Sequence, residues 1–138
     1  KVTPDISEHT RRSIYIFARR NVRHPLFDLF DRPDAQISCA RRNESTTAPQ
    51  ALVLLNSEFA HDTAAKLAKS LTQTHGSDIS ALMTAATRLC LSRDPTEIEI
   101  TAGSTFMEQQ TSLTGSLNTA LADYCLALLN SNEFLFVD

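Results

Sequence analysis

The residues best suited to chemistry stand close together: Cys39, Arg41 and Arg42, followed by Ser45, Thr46, Thr47 and Gln50. Neighbouring cations lower a thiol pKa, and the thiolate is the nucleophilic form, so Cys39 beside two arginines has the setting of a reactive cysteine. A nucleophile also needs a positioned base, and the sequence names none. The same block suits an anion: guanidinium forks pair with carboxylate or phosphate, and the free amides at a helix start add positive potential. In a simpler reading the arginines tie a loop to acidic residues of the domain, while Thr47 and Gln50 only cap a helix. Cys39, Arg41, Arg42, Ser45, Thr46 and Gln50 are thus the candidate contacts for an anion or a partner. No residue is assigned to catalysis, to a cofactor or to a metal.

Other chemistries find little support. His9, His24, His61 and His75 are at least fourteen residues apart, and none has a convergent second ligand at helical spacing, as a zinc site requires. Covalent haem attachment needs Cys-x-x-Cys-His, which is absent. Phosphate-binding glycine loops and the nucleophile elbow are absent as well, and three glycines could scarcely build them. Arg11, Arg12, Arg19, Arg20 and Arg23 read as a solvated face or a surface for a neighbouring domain. They do not read as a nucleic-acid stripe, because stacking aromatics are not interleaved with them.

The elements that must position these residues are helical. Ile14, Phe17, Ala18 and Val22 predict a first helix over 5–22, although the alternation in Ile14-Tyr15-Ile16-Phe17 also suits a strand. Pro25 ends it, and a short helix over 25–30 turns Leu26, Phe27 and Phe30 inward. A long polar loop, about residues 31–47, comes next. Thr47-Ala48-Pro49-Gln50 has capping-box spacing and opens a helix carrying Leu52, Leu55 and Phe59 on its apolar face. That face continues through Ala60, Ala64, Leu67, Ala68 and Leu71 after a bend at Asn56-Ser57, and Gly76 terminates it. Ile79, Leu82, Met83, Ala86, Leu89 and Cys90 repeat at helical spacing. Asp94-Pro95-Thr96-Glu97 predicts a further capped start, with Ile98, Ala102, Phe106 and Met107 as its stripe. Gly103 weakens that helix by up to about 1 kcal/mol relative to alanine, and Gly115 ends it. Leu117, Leu121, Tyr124, Cys125, Leu128 and Leu129 mark a last long helix, after which Phe134, Phe136 and Val137 dock the carboxyl end. The run Leu54-Leu55-Asn56-Ser57-Glu58-Phe59 returns as Leu128-Leu129-Asn130-Ser131-Asn132-Glu133-Phe134. Both read as a helix broken at Asn-Ser, whose side chains compete for backbone hydrogen bonds.

The expected fold is therefore all-α: a compact bundle of about five to six helices with one long polar loop, forming a single domain over 1–138. A chain of 138 residues with 42% hydrophobic and 21% charged residues buries roughly two-thirds of its unfolded surface without staples. No apolar run approaches the roughly 20 residues of a membrane span. Cys39, Cys90 and Cys125 form neither a disulfide framework nor a two-plus-two zinc site, and Cys90 and Cys125 fall on apolar helix faces as inert thiols. Charge is uneven, +4 over residues 1–42 and −7 over 43–138, for a net −3. With a pI near 5.8, that split favours internal pairing or an anionic partner at the front over nucleic-acid binding. Lys1 at the start marks the chain as a processed or excised piece.

Arg11-Arg12-Ser13-Ile14-Tyr15, Arg23-His24-Pro25, Ser38-Cys39-Ala40-Arg41-Arg42-Asn43 and Ser45-Thr46-Thr47-Ala48-Pro49-Gln50-Ala51-Leu52 resemble the planctomycete-type domain of unknown function found near the carboxyl end of large cytochrome-c-containing proteins. The ending from Ala127 to Asp138 is similar to that family's terminus. The resemblance implies that the chain is the carboxyl-terminal part of an exported, periplasmic multidomain protein. Haem c would then sit elsewhere in the parent and not in this chain, and the partners would be other domains of the same polypeptide. It implies no reaction, no ligand and no catalytic residues. Two functions are expected: a non-catalytic interaction or scaffolding domain, from the clean helical core without converging chemistry, or part of a hydrolytic or redox enzyme completed by amino-terminal domains, from Cys39 beside Arg41 and Arg42 in a long loop.

Overall fold

The computed structural model describes residues 13–15, 25–31 and 47–135. Contacts divide the chain into two compact units, residues 1–47 and 48–138, and each is described by itself. In the first unit, Ser13–Tyr15 form a single 3-10 turn and Pro25–Leu29 form helix α1. The turn is all that is described of the helix expected over 5–22. Helix α1 lies where the short helix was expected, and it ends as Asp31 takes a left-handed φ of 54°, a conformation aspartate tolerates better than most side chains. Residues 32–46, most of the expected polar loop, lie outside the described residues.

The second unit holds α2 (Ala48–Asn56), α3 (Glu58–His75), α4 (Ile79–Leu91), α5 (Glu97–Thr114), α6 (Leu117–Leu129) and the short α7 (Asn132–Leu135). The fold is all-α, as the periodicity predicts, and no strand occurs among the described residues. Each long helix starts on a side chain that occupies an orphan amide. Ser57, Asp78, Thr96 and Ser116 accept bonds from the first turns of α3, α4, α5 and α6, which is the role of an N-cap. Gly76 and Gly115 end α3 and α5 with φ of 66° and 69°, the region glycine enters without a steric penalty.

The core forms where α3, α4 and α5 surround α6. Ala60, Ala64, Ala68 and Leu71 give α3 a narrow stripe of small side chains, and its most extensive packing is against α6. On α6, Ala120, Leu121, Tyr124 and Cys125 are buried, and Leu82, Met83 and Ala86 of α4 are fully enclosed. Alanines spaced four apart let two helix backbones approach closely, so this pairing follows from the sequence pattern. Helix α5 approaches at Gly103: a Cβ there would lie 2.4 Å from Met83 Cε and 3.2 Å from Tyr124 Cε2. The glycine that weakens the isolated helix thus lets it pack. Phe106 and Tyr124 meet with ring centroids 6.4 Å apart, within the range for favourable ring contacts.

Several expectations are corrected. The cap of α5 lies two residues later than Asp94: Thr96 Oγ1 accepts from Glu99 N–H, and Glu99 Oε2 accepts from Thr96 N–H at 2.7 Å. Asp94 pairs instead with Arg88, and Pro95 precedes the helix. The buried stripe of α5 is Gly103 and Met107, with Ile98 81% exposed. Leu89 of α4 is exposed too, and so are Leu52, Leu55 and Phe59. Each lies at a helix end or on a helix with few neighbours, where periodicity cannot tell a covered apolar face from an open one. Phe134 is 41% exposed, and Phe136 and Val137 lie outside the described residues.

Candidate functional site

Of the sequence-derived contacts, Cys39, Arg41, Arg42, Ser45 and Thr46 lie outside the described residues. Gln50 is described and is buried in α2.

Two other features stand out in the second unit. The first is apolar. Helix α2 is almost wholly aliphatic, yet Leu52 is 57% and Leu55 48% exposed, and Phe59, in the first turn of α3, is 69% exposed. The break between the helices is narrow: Ser57 N–H still bonds the Val53 carbonyl at 2.9 Å while Ser57 Oγ accepts from Ala60 N–H. A second break of the same kind follows α6. There Ser131 Oγ accepts from Phe134 N–H at 3.3 Å, and the preceding Asn130 donates to the Leu126 carbonyl at 2.8 Å and to the Leu54 carbonyl at 3.4 Å. The two Asn-Ser segments that echo one another in sequence are therefore joined in space. The exposed flank of the first carries Glu58, His61 and Asp62, and no Lys or Arg occurs between residues 43 and 65.

The second feature is a cluster of charge around Arg93, in the α4–α5 connection. Its Nη1 and Nη2 donate to Glu99 Oε2 and Oε1 at 2.9 and 2.7 Å. Its Nε and Nη2 donate to Glu133 Oε1 and Oε2 at 2.6 and 2.8 Å. Nη1 also reaches the Asp94 carbonyl at 3.0 Å. A guanidinium has five N–H donors, and all of them are engaged. Arg93 clamps the start of α5 to α7 and keeps no donor for an external anion. Hydrogen bonds from Arg93 and then from Thr96 hold the Glu99 carboxyl down to about 2. The Arg93 bonds likewise lower Glu133, and the two carboxylates raise the Arg93 guanidinium. The sequence gives no sign of this cluster, because Glu133 lies forty residues from its partner.

The two thiols among the described residues are poorly suited to nucleophilic work. Cys125 is fully buried, and burial, with the nearby Cys90 thiol adding to it, pushes its pKa up to about 12. Cys90, half-buried on α4, is raised by burial as well. Desolvation disfavours the thiolate, which is the reactive form. Tyr124 OH lies 3.4 Å from Thr87 Oγ1, which also donates to the Met83 carbonyl, so these buried hydroxyls serve the α4–α6 contact. Among the described residues no three His, Cys, Asp or Glu side chains gather as a metal site, and no helix is long and apolar enough to cross a membrane.

Residues 2–107 match the family described as PSD1, protein of unknown function (DUF1553), and the chain belongs to that family. No curated protein and no solved structure matches it.

Proposed function

We propose that the chain is a non-catalytic interaction domain of a larger exported, haem-containing protein, and that it binds other domains of the same polypeptide. The observation that carries the reading is the exposed aliphatic and aromatic run Leu52, Leu55 and Phe59. Large apolar side chains gathered on a surface mark interaction sites more often than singly scattered ones do. The acidic flank of Glu58 and Asp62, ahead of the first cation of α3 at Lys66, suits a partner whose apolar contact is rimmed by Lys or Arg. The haem and export context rests on the resemblance of the Arg11–Leu52 segments and of the carboxyl-terminal run. The two cysteines among the described residues do not suit covalent haem: Cys125 is enclosed in the core, and Cys90 is half-buried on α4. On this reading any haem belongs to other modules of the parent.

The test is to produce this chain and the remainder of its parent polypeptide as separate proteins and measure their association by calorimetry. Single substitutions L52D, L55D and F59D should each weaken binding by about tenfold or more, as loss of an apolar anchor does at an interface, with helical circular dichroism unchanged. Retained affinity in all three folded variants would remove the basis for the proposal.

A further inference from the structure

Helix α7 is attached differently from the other helices. It has four residues, none of them buried, and Phe134 at its centre remains open to solvent. Its contacts are with α4 and α6. Its side-chain anchor is Glu133, held through both carboxylate oxygens by Arg93, two residues beyond the end of α4. Arg93 does not depend on that anchor for its own position, because Glu99 and the Asp94 carbonyl hold the other face of the guanidinium. Loss of Glu133 would therefore free the strap and leave its receptor in place.

Cys90 sits in the last turn of α4, three residues before Arg93, and is half-buried. Leu128 and Leu129, at the end of α6, are partly buried against the core. The last turns of α4 and α6, the two helices α7 packs against, thus carry apolar or thiol side chains. A segment with little buried apolar area and a solvent-exposed tether opens at far lower free energy than the core.

We propose that α7 is a strap that opens and closes over the carboxyl-terminal ends of α4 and α6, latched by the Glu133–Arg93 pair, and that opening it uncovers Cys90. The device is independent of the Leu52–Phe59 surface, so either proposal can fail alone. The latch is local, whereas the enclosure of Cys125 depends on the packing of all the long helices.

The experiment uses the full chain and N-ethylmaleimide, with the labelling rate of each cysteine resolved by peptide mass spectrometry at constant pH. Glu133→Gln removes the charge on the strap's arm and leaves the Arg93–Glu99 arm intact. It should speed labelling of Cys90 by about two- to fivefold, the range an exposed ion pair supplies, with Cys125 unchanged. Raising salt from about 0.05 to about 0.5 M should speed Cys90 labelling in the native chain by screening the latch, and should have little effect in the Glu133→Gln variant. An unchanged Cys90 rate overturns the proposal. Parallel acceleration of Cys90 and Cys125 also overturns it, since that reports loosening of the whole unit, and the salt series on the native chain decides the matter should the variant fold poorly.

Discussion

Replacing Gly103 by alanine sets two opposed effects against each other at one atom. In an isolated helix the change is favourable, by about 1 kcal/mol, because glycine loses more backbone freedom on folding. In this structure the added Cβ would lie 2.4 Å from Met83 Cε and 3.2 Å from Tyr124 Cε2. The methionine tip is flexible, but Met83 is fully enclosed and has no solvent to swing into, while the tyrosine ring is held among α4, α5 and α6. Forcing an extra methyl group into such packing costs about 1–3 kcal/mol. The net expectation is destabilisation by about 0–2 kcal/mol, with the sign set by packing over propensity. Urea unfolding followed by helical circular dichroism measures it as a lower midpoint at constant slope. Met83→Leu removes the offending methyl group at little cost, as near-isosteric swaps do. In that background the Gly103→Ala penalty should shrink by about 1 kcal/mol or more, a coupling expected only of residues in contact. Stabilisation by Gly103→Ala alone, or an equal penalty in both backgrounds, would refute the argument that close helix approach requires this glycine.

Two further outcomes follow from the buried and paired groups. Glu99 and Glu133 ionise below the ordinary carboxylate value of 4.5, Glu99 at about 2. A depressed native pKa gives stability that is complete above the unfolded value and is lost as protons bind the native carboxylate. Urea midpoints should therefore fall as pH drops from about 4.5 towards about 2, and Glu99→Gln should flatten that slope; an unaltered slope would show that the pairing with Arg93 contributes nothing. Thr111 Oγ1 is buried without a hydrogen-bond partner, unlike Thr101, Thr105 and Thr114 of the same helix, which donate to carbonyls four residues earlier. Thr111→Val keeps the shape and removes the unmet hydroxyl, so it should stabilise by about 1 kcal/mol in the same urea assay, and a destabilised variant would count against the hydroxyl being unpaired.

Most of the helical architecture was legible because local chemistry and periodicity agree. Gly76 and Gly115 terminate helices where their backbone freedom is needed, Ser57 begins α3 at the expected bend, and the Ile79–Cys90 pattern gives α4 nearly all its inward residues. The errors share a cause. Hydrophobic spacing reports which residues share a face, and whether anything covers that face depends on tertiary contacts that no local window contains. That spacing places Leu52, Leu55, Phe59 and Ile98 on inward faces, and all four are open. The cap of α5 was misplaced because Asp94 and Thr96 both suit the role, and Arg88 and Glu99 decide between them. The Arg93 cluster was invisible for a different reason, since it joins charges forty residues apart whose types are common at any surface. Of the proposed contact residues, Gln50 alone is described, and it is buried.

The repeated Leu-Leu-Asn-Ser segment bears on how the domain can work. Both copies break a helix at serine and restart it with an aromatic that stays partly open, and Asn130 joins the second break to the Leu54 carbonyl of the first. The helices beyond the breaks nevertheless differ in what holds them. Helix α3 runs on for eighteen residues and buries its alanine stripe against α6, so Phe59 is displayed from a fixed element. Among the described residues helix α7 buries nothing, and its side-chain anchor is the Glu133–Arg93 pair. One sequence device thereby precedes both a helix fixed by core packing and one held through a surface ion pair. The alanine stripe of α3 makes the difference, because its burial against α6 outweighs the entropy of ordering the helix.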